Sequence, residues 1–277
     1  MKEQFIEEYL SYGASLKKNL VFGNAGGFAL KMDVIWCPEK KRDPAPVIVW
    51  IHGGAWSDHE LDRNYRPETE LLKLAGKGYF VTCIDYRLSD EAPFPAQIQD
   101  CKCAIRFLRA HSVEWGLDSK RIGVWGESAG GHLVNLLGST EGIEEFEGSG
   151  GWQEFSSAVN AVCTWYSPAS MTHMAHEENS VAAALLGNPP KEKLIEKLEW
   201  ASPINYFHRD MPPFLIMHGD EDPLVPVDQS RIIYQKLQEL DSPAEFHLIH
   251  GQGHGFFQGD GPYRIVRDFF DKWLLVR

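Results

Sequence analysis

Seven runs rich in Val, Ile and Phe punctuate this chain of 277 residues: Phe28–Trp36, Val47–Ile51, Tyr79–Asp85, Arg121–Trp125, Val159–Tyr166, Phe214–His218 and Glu245–His250. Most are continuous apolar blocks without polar alternation. A strand reads that way when both of its faces are covered, the condition of a mainly parallel sheet with helices on either side. The segments between the runs carry helical signals. Glu68–Lys77 and Ala96–His111 each follow a proline, a favoured residue at a helix start, and Asp228–Leu240 and Tyr263–Leu275 place apolar residues at helical spacing. This alternation predicts an α/β fold with one central sheet, a single domain over residues 1–277.

One region breaks the rhythm. From about Ser167 to Phe207 the chain holds a polar stretch, the run LLGNPP and a helix opening at Pro189-Pro190, with Leu194 and Leu198 on one face. An insertion of this length between two strands reads either as an ordinary crossover or as a small lid over a site. The acidic, glycine-rich Glu141–Gly151 reads as a surface loop.

The densest chemical signal is GVWGESAGGHL, Gly123 to Leu133. A strand-like run enters it and a helix, continuing through His132–Leu137, leaves it, with Ser128 between Gly126 and Gly130. A serine at such a junction can serve as a helix cap. In a sharp strand-to-helix turn, glycines two residues to either side make room for a strained backbone that exposes the hydroxyl. That exposure falls at the carboxyl edge of the sheet, where open α/β sheets place their sites.

A serine nucleophile needs a base, and the base needs an orienting acid. In this kind of sheet they follow in the order serine, acid, histidine. After the run PFLIMHG comes Asp220-Glu221-Asp222-Pro223, and after FHLIH comes Gly251-Gln252-Gly253-His254. Asp222, just before the turn into a helix, is the preferred acid and Asp220 its rival. His254, between glycines on a loop, is the expected base. His52, His218 and His250 end strands and read as structural, with His52 shaping its loop. His52-Gly53-Gly54-Ala55-Trp56 follows the Val47–Ile51 run, and bare glycine backbone can approach a substrate closely. The amides of Gly53, Gly54 and Ala129 are therefore the expected oxyanion hole. Trp56, Trp165, Tyr166 and Phe256 are candidates for a compact aromatic substrate pocket.

Together these motifs resemble the α/β-hydrolase superfamily. HGGAW, IDYRL, GESAGGHL, WASPINYF and HGDEDPLVP are most similar to its hormone-sensitive-lipase-like and carbohydrate-esterase branches, above all to the small bacterial acetyl and feruloyl esterases of the BD-FAE type. The likeness runs from about residue 28 to the C-terminus. It implies a serine carboxylesterase acting through an acyl-enzyme on short-chain or carbohydrate-linked esters, with no metal or organic cofactor. The segment before residue 28 is short for an N-terminal cap, which argues against long acyl chains. Good turnover of p-nitrophenyl acetate and butyrate is expected, with poor turnover beyond about C8. His254 must be neutral to accept a proton, so activity should fall as the pH drops through the range of an ordinary imidazole, ~6.5. HGG-x-W also resembles kynurenine formamidases, which leaves amide hydrolysis as an alternative. A non-catalytic binding protein on a hydrolase scaffold is a third reading, disfavoured because the Ser–Asp–His set is complete.

The formal net charge of -12 at pH 7 disfavours nucleic-acid partners. The five cysteines are odd in number; Cys37, Cys83 and Cys163 lie in strand-like runs and read as buried, reduced thiols, while Cys101 and Cys103 lack a second ligand pair for zinc. MKEQFIEEYLSYG lacks the basic and apolar regions of a leader, and no run approaches the roughly 18 apolar residues of a membrane span. A cytoplasmic protein with a small-molecule ester substrate and no membrane partner is expected, and a homo-oligomer stays open.

Overall fold

Eight strands lie side by side in the order β1-β2-β4-β3-β5-β6-β7-β8 in a computed structural model that describes residues 12–174 and 180–275. They are β1 (Ser15–Ala25), β2 (Phe28–Trp36), β3 (Ala45–Ile51), β4 (Phe80–Ile84), β5 (Leu117–Glu127), β6 (Ala161–Trp165), β7 (Phe214–Gly219) and β8 (Ala244–Ile249). β1 and β2 pair antiparallel, β2 runs antiparallel to β4, and every pairing from β4 through β3 to β8 is parallel. With the helices, this is the α/β-hydrolase fold that the resemblance implies.

The apolar blocks explain the layering. Every residue of β3, β4, β6 and β7 is buried. Their alternate side chains feed two cores, one on each face of the sheet. One holds Val47, Val49 and Ile51 with Leu133 and Leu137 of the helix after β5; the other holds Ile48 and Trp50 with Leu71 and Phe270. The helices that matter to the site are α1 (Glu68–Gly76), α2 (Ala96–Ala110), α3 (Ala129–Ser139), α4 (Val181–Leu185), α5 (Lys191–Trp200), α6 (Asp228–Glu239) and α7 (Asp260–Phe270). The pattern expected over Tyr263–Leu275 divides into α7 and a π-helical turn, Asp271–Leu275.

β1 was not among the seven runs. It is an edge strand in which Lys17, Lys18 and Asn19 are exposed and Phe22 alone is buried, so it lacks the apolar block by which the inner strands announce themselves. All five cysteines are buried free thiols. Among the described residues no helix is long and apolar enough to cross a membrane. The leader reading concerns residues that, apart from Tyr12 and Gly13, lie outside the described part, as do residues 175–179 of the 167–207 insertion.

Candidate active site

Because β3, β5, β7 and β8 are parallel, the loops that leave them open on one edge of the sheet. β5 ends at Glu127 and α3 begins at Ala129, leaving Ser128 alone in the turn with φ 52° and ψ −118°. A non-glycine residue rarely holds that conformation, and it persists only where its surroundings impose it. Here the Ser128 N–H donates to the Trp165 carbonyl at 3.0 Å and the Ser128 carbonyl accepts from His132. Close packing makes Gly130 obligatory: a Cβ there would stand 2.1 Å from the Ile51 carbonyl oxygen. The junction is therefore the device that lifts the Ser128 hydroxyl out of the sheet. It makes no side-chain cap to α3.

His254 closes on it from the loop after β8. Its Nε2 lies 2.9 Å from Ser128 Oγ, and its Nδ1 lies 2.7 Å from Asp222 Oδ2. Asp222 folds back in the loop after β7, where its other oxygen accepts the N–H groups of Leu224 and Val225 at 2.8 and 2.9 Å. Burial opposes its charge, but hydrogen bonds from His218, His254 and those two amides hold its carboxyl well below the usual carboxylate range. Asp220, the rival acid, points elsewhere: it bonds exposed His250 at 2.7 Å and the Gly251 amide. His218, read as structural, is buried beside Asp222 and bonded to Ser230 Oγ and the Val225 carbonyl.

The oxyanion loop departs from expectation at one residue. The Gly53 N–H is already engaged, donating to Glu127 Oε1 at 2.7 Å. Its neighbours differ. Gly54, Ala55 and Trp56 follow with φ of 93°, 51° and 57°, and among the described residues nothing accepts the N–H of Gly54, Ala55 or Ala129. Ala55 and Ala129 line one cavity with Ser128 and His254. The available donors are thus Gly54, Ala55 and Ala129, with Gly53 replaced by Ala55. His52 shapes this loop as anticipated. Its ring stacks on Tyr86 at 4.4 Å, and burial pushes its pKa down to about 4. The Tyr86 hydroxyl lies 3.1 Å from the carbonyl oxygens of His52 and Gly53.

The cavity at Ser128 has a volume of about 330 Å³. Trp56 lines it as expected; Trp165, Tyr166 and Phe256 do not. Trp165 is wholly buried against Trp125 and Phe257, at ring separations of 5.0 and 4.6 Å. Tyr166 is buried 4.6 Å from the His254 ring, behind the site. Phe256 stacks on Tyr65 at 4.7 Å. Their aromatic character reflects the core that carries the site. The facing wall comes instead from Pro168, Met171, Met174, Val181, Ala182 and Leu224, all but the last from the 167–207 insertion. That insertion is tied down: His132 Nε2 sits 2.8 Å from the Ala201 carbonyl, the Met171 amide donates to Ser202 Oγ at 2.8 Å, and Gln229 Oε1 accepts the Ala169 and Ser170 amides. Glu127, Tyr86 and the two methionines had no functional role in the sequence reading. Glu127 stood in plain view as the variable position of G-x-S-x-G, and Tyr86 inside IDYRL.

This geometry has counterparts. The BD-FAE family model matches residues 32–237, a span holding the HGGAW loop, Ser128 and Asp222. Esterase LipC of Mycobacterium tuberculosis (strain ATCC 25618 / H37Rv) is 32% identical over 240 residues, which are 83% of this chain and 58% of LipC. The chain spans about half the length of the curated relatives it matches. Among solved structures, a bifunctional GH43-CE protein of Bacteroides eggerthii superposes with a TM-score of 0.85 at 32% identity, covering 93% of this chain and 35% of that one. A truncated form of a carbohydrate esterase from gut microbiota superposes with a TM-score of 0.81 at 30% identity, over 93% of this chain and 95% of that one. With the fold and the matched span in agreement, this chain belongs to the BD-FAE family.

Proposed function

We propose that the protein is a serine carboxylesterase that cleaves short-chain or carbohydrate-linked esters through an acyl-enzyme. One observation carries the reading: Asp222, His254 and Ser128 are joined by hydrogen bonds of 2.7 and 2.9 Å that end in a cavity beside unclaimed backbone N–H groups. In this mechanism the Ser128 hydroxyl attacks the ester carbonyl while its proton passes to His254 Nε2. Asp222 holds the imidazole by its Nδ1–H and stabilises the imidazolium. The amides of Gly54, Ala55 and Ala129 receive the oxyanion. His254 then returns the proton to the leaving alcohol, and water repeats the cycle on the acyl-enzyme.

The insertion at residues 167–207 acts as a small cap whose methionines and aliphatic side chains receive the acyl group. A cavity of about 330 Å³ with this lining favours acetyl to butyryl groups. The carbohydrate side of the proposal draws on the two structural neighbours, both named for carbohydrate-esterase modules. An ester panel on wild type and Ser128→Ala tests it. The panel includes p-nitrophenyl acetate, butyrate and palmitate, acetylated and feruloylated oligosaccharides, and N-formylkynurenine. The expected result is turnover of short or carbohydrate esters that disappears in Ser128→Ala. Preference for palmitate or for the formamide would overturn the substrate reading.

A further inference from the structure

Glu127 is a buried carboxylate one residue before the proposed nucleophile, and acyl transfer assigns it no task. It is 3% exposed and ends β5 opposite Trp165 of β6. Its side chain crosses to the neighbouring strand's loop, where Oε1 takes the Gly53 N–H at 2.7 Å. The fit leaves no slack: a Cβ on Gly53 would stand 2.1 Å from that same oxygen. The carbonyl of the same residue is held too, its oxygen lying 3.1 Å from the Tyr86 hydroxyl and 2.8 Å from His52 Nδ1. Gly53, held at both its N–H and its C=O, is the fixed point from which the chain enters three consecutive left-handed residues, Gly54, Ala55 and Trp56. Two of those are not glycine, and such a run is held only when its ends are over-determined. The free N–H groups of Gly54 and Ala55 belong to that run.

We infer that Glu127 is a positioning residue of the oxyanion hole, acting through the Gly53 amide to aim the N–H groups of Gly54 and Ala55 at the cavity. The inference rests on the esterase reading above. An acyl oxyanion forms only in the transition state, so misaimed donors would lower kcat and leave substrate binding nearly untouched. The ionisable groups around Glu127 are His254, Tyr65, Tyr86 and Tyr166; the Tyr166 hydroxyl sits beside the carboxylate without a well-formed hydrogen bond. Burial pushes the Glu127 carboxyl up, while His254 and the Gly53 amide pull it back. The histidine is the one cation that catalysis creates there.

The experiment compares wild type, Glu127→Gln and Glu127→Ala on p-nitrophenyl acetate, with n-butylboronic acid as the probe of the hole, since its adduct with a serine is tetrahedral. A glutamine keeps an oxygen for the Gly53 N–H; an alanine does not. In Glu127→Ala, kcat should fall about 10²-fold with KM changed less than about threefold, and boronate affinity should fall in parallel. Glu127→Gln should keep kcat within about tenfold of wild type. Should Glu127→Ala fail to fold, Tyr86→Phe releases the Gly53 carbonyl and is expected to lower kcat at unchanged KM. The inference is overturned if the alanine variant keeps its kcat, if both Glu127 variants lose it equally, or if KM carries the loss. An inert but folded wild type would overturn the esterase reading and this inference together.

Discussion

Nε2 of His218 lies 3.3 Å from Oδ2 of Asp222, the same oxygen that Nδ1 of His254 approaches at 2.7 Å. Two histidines therefore converge on one carboxylate oxygen. The first is wholly buried, with Nε2 also 2.9 Å from the Val225 carbonyl and Nδ1 2.7 Å from Ser230 Oγ. Two acceptors at Nε2 assign its proton there, with Ser230 donating to Nδ1. Replacing His218 with Phe strands the Val225 carbonyl and the Ser230 hydroxyl in the interior. We expect unfolding stability to drop by about 2–4 kcal/mol and kcat to fall about tenfold. Urea unfolding and initial rates check this, and an unchanged midpoint would remove His218 from the support of Asp222.

The backbone of Ser128 sets function against stability. With φ at 52° and ψ at −118°, the serine carries strain that a glycine would shed. Ser128→Ala should lose ester turnover by ~10³-fold or more at nearly unchanged stability. Ser128→Gly should lose as much activity yet resist denaturation better, by about 1 kcal/mol after allowing for its more flexible unfolded chain. A glycine variant less stable than the alanine one would contradict the strain argument.

Acid should weaken the fold in two stages. Burial lowers the pKa of His52 and of His132 to about 4. In the unfolded chain both take up protons near 6.5, so the unfolded state binds more protons across that interval and stability declines as pH falls from 6.5 towards 4. The depressed carboxyl of Asp222 contributes stability that is lost below its unfolded pKa of about 3.9. Chemical unfolding at a series of pH values should show the first decline, and His132→Asn should flatten its slope by close to one proton. A midpoint constant from pH 7 to 4.5 would refute the assignment.

Ala182 faces the cavity from α4 and is 5% exposed. Leucine at this position fills space that a longer acyl chain would use. We expect Ala182→Leu to lower kcat/KM for p-nitrophenyl butyrate about tenfold relative to acetate. Equal losses on both esters would place the acyl chain elsewhere.

The parallel strands were legible because burial on both faces writes an uninterrupted apolar run, as in Val47–Ile51 and Phe214–His218. β1 escaped because an edge strand is hydrogen-bonded on one side and can carry Lys17, Lys18 and Asn19 outward. Ser128, Asp222 and His254 were legible because strand ends on a parallel sheet must share an edge, whatever their distance in sequence. Gly53 was misassigned for a local reason. Which of three successive N–H groups faces a cavity depends on left-handed backbone angles, and these are imposed by Glu127 at the end of β5 and Tyr86 in the loop after β4. Trp165, Tyr166 and Phe256 sat near the site in sequence, but Trp165 and Tyr166 are wholly buried in the core behind it and Phe256 packs against Tyr65 and Trp50. The apolar wall from Met171 and Ala182 carries no spacing rule that would disclose it.

Ser128 and His254 stand 126 positions apart and meet only when β5, β6, β7 and β8 lie in register. β8 is the terminal strand of the sheet, bonded along one side, and each of its six residues is only partly buried. Terminal strands detach at lower free energy than those they border. Under the proposed esterase activity, turnover becomes a gauge of the docking of β8: mild denaturant should silence it while Trp50, Trp125 and Trp165, rooted in the inner strands, still emit as in the native state.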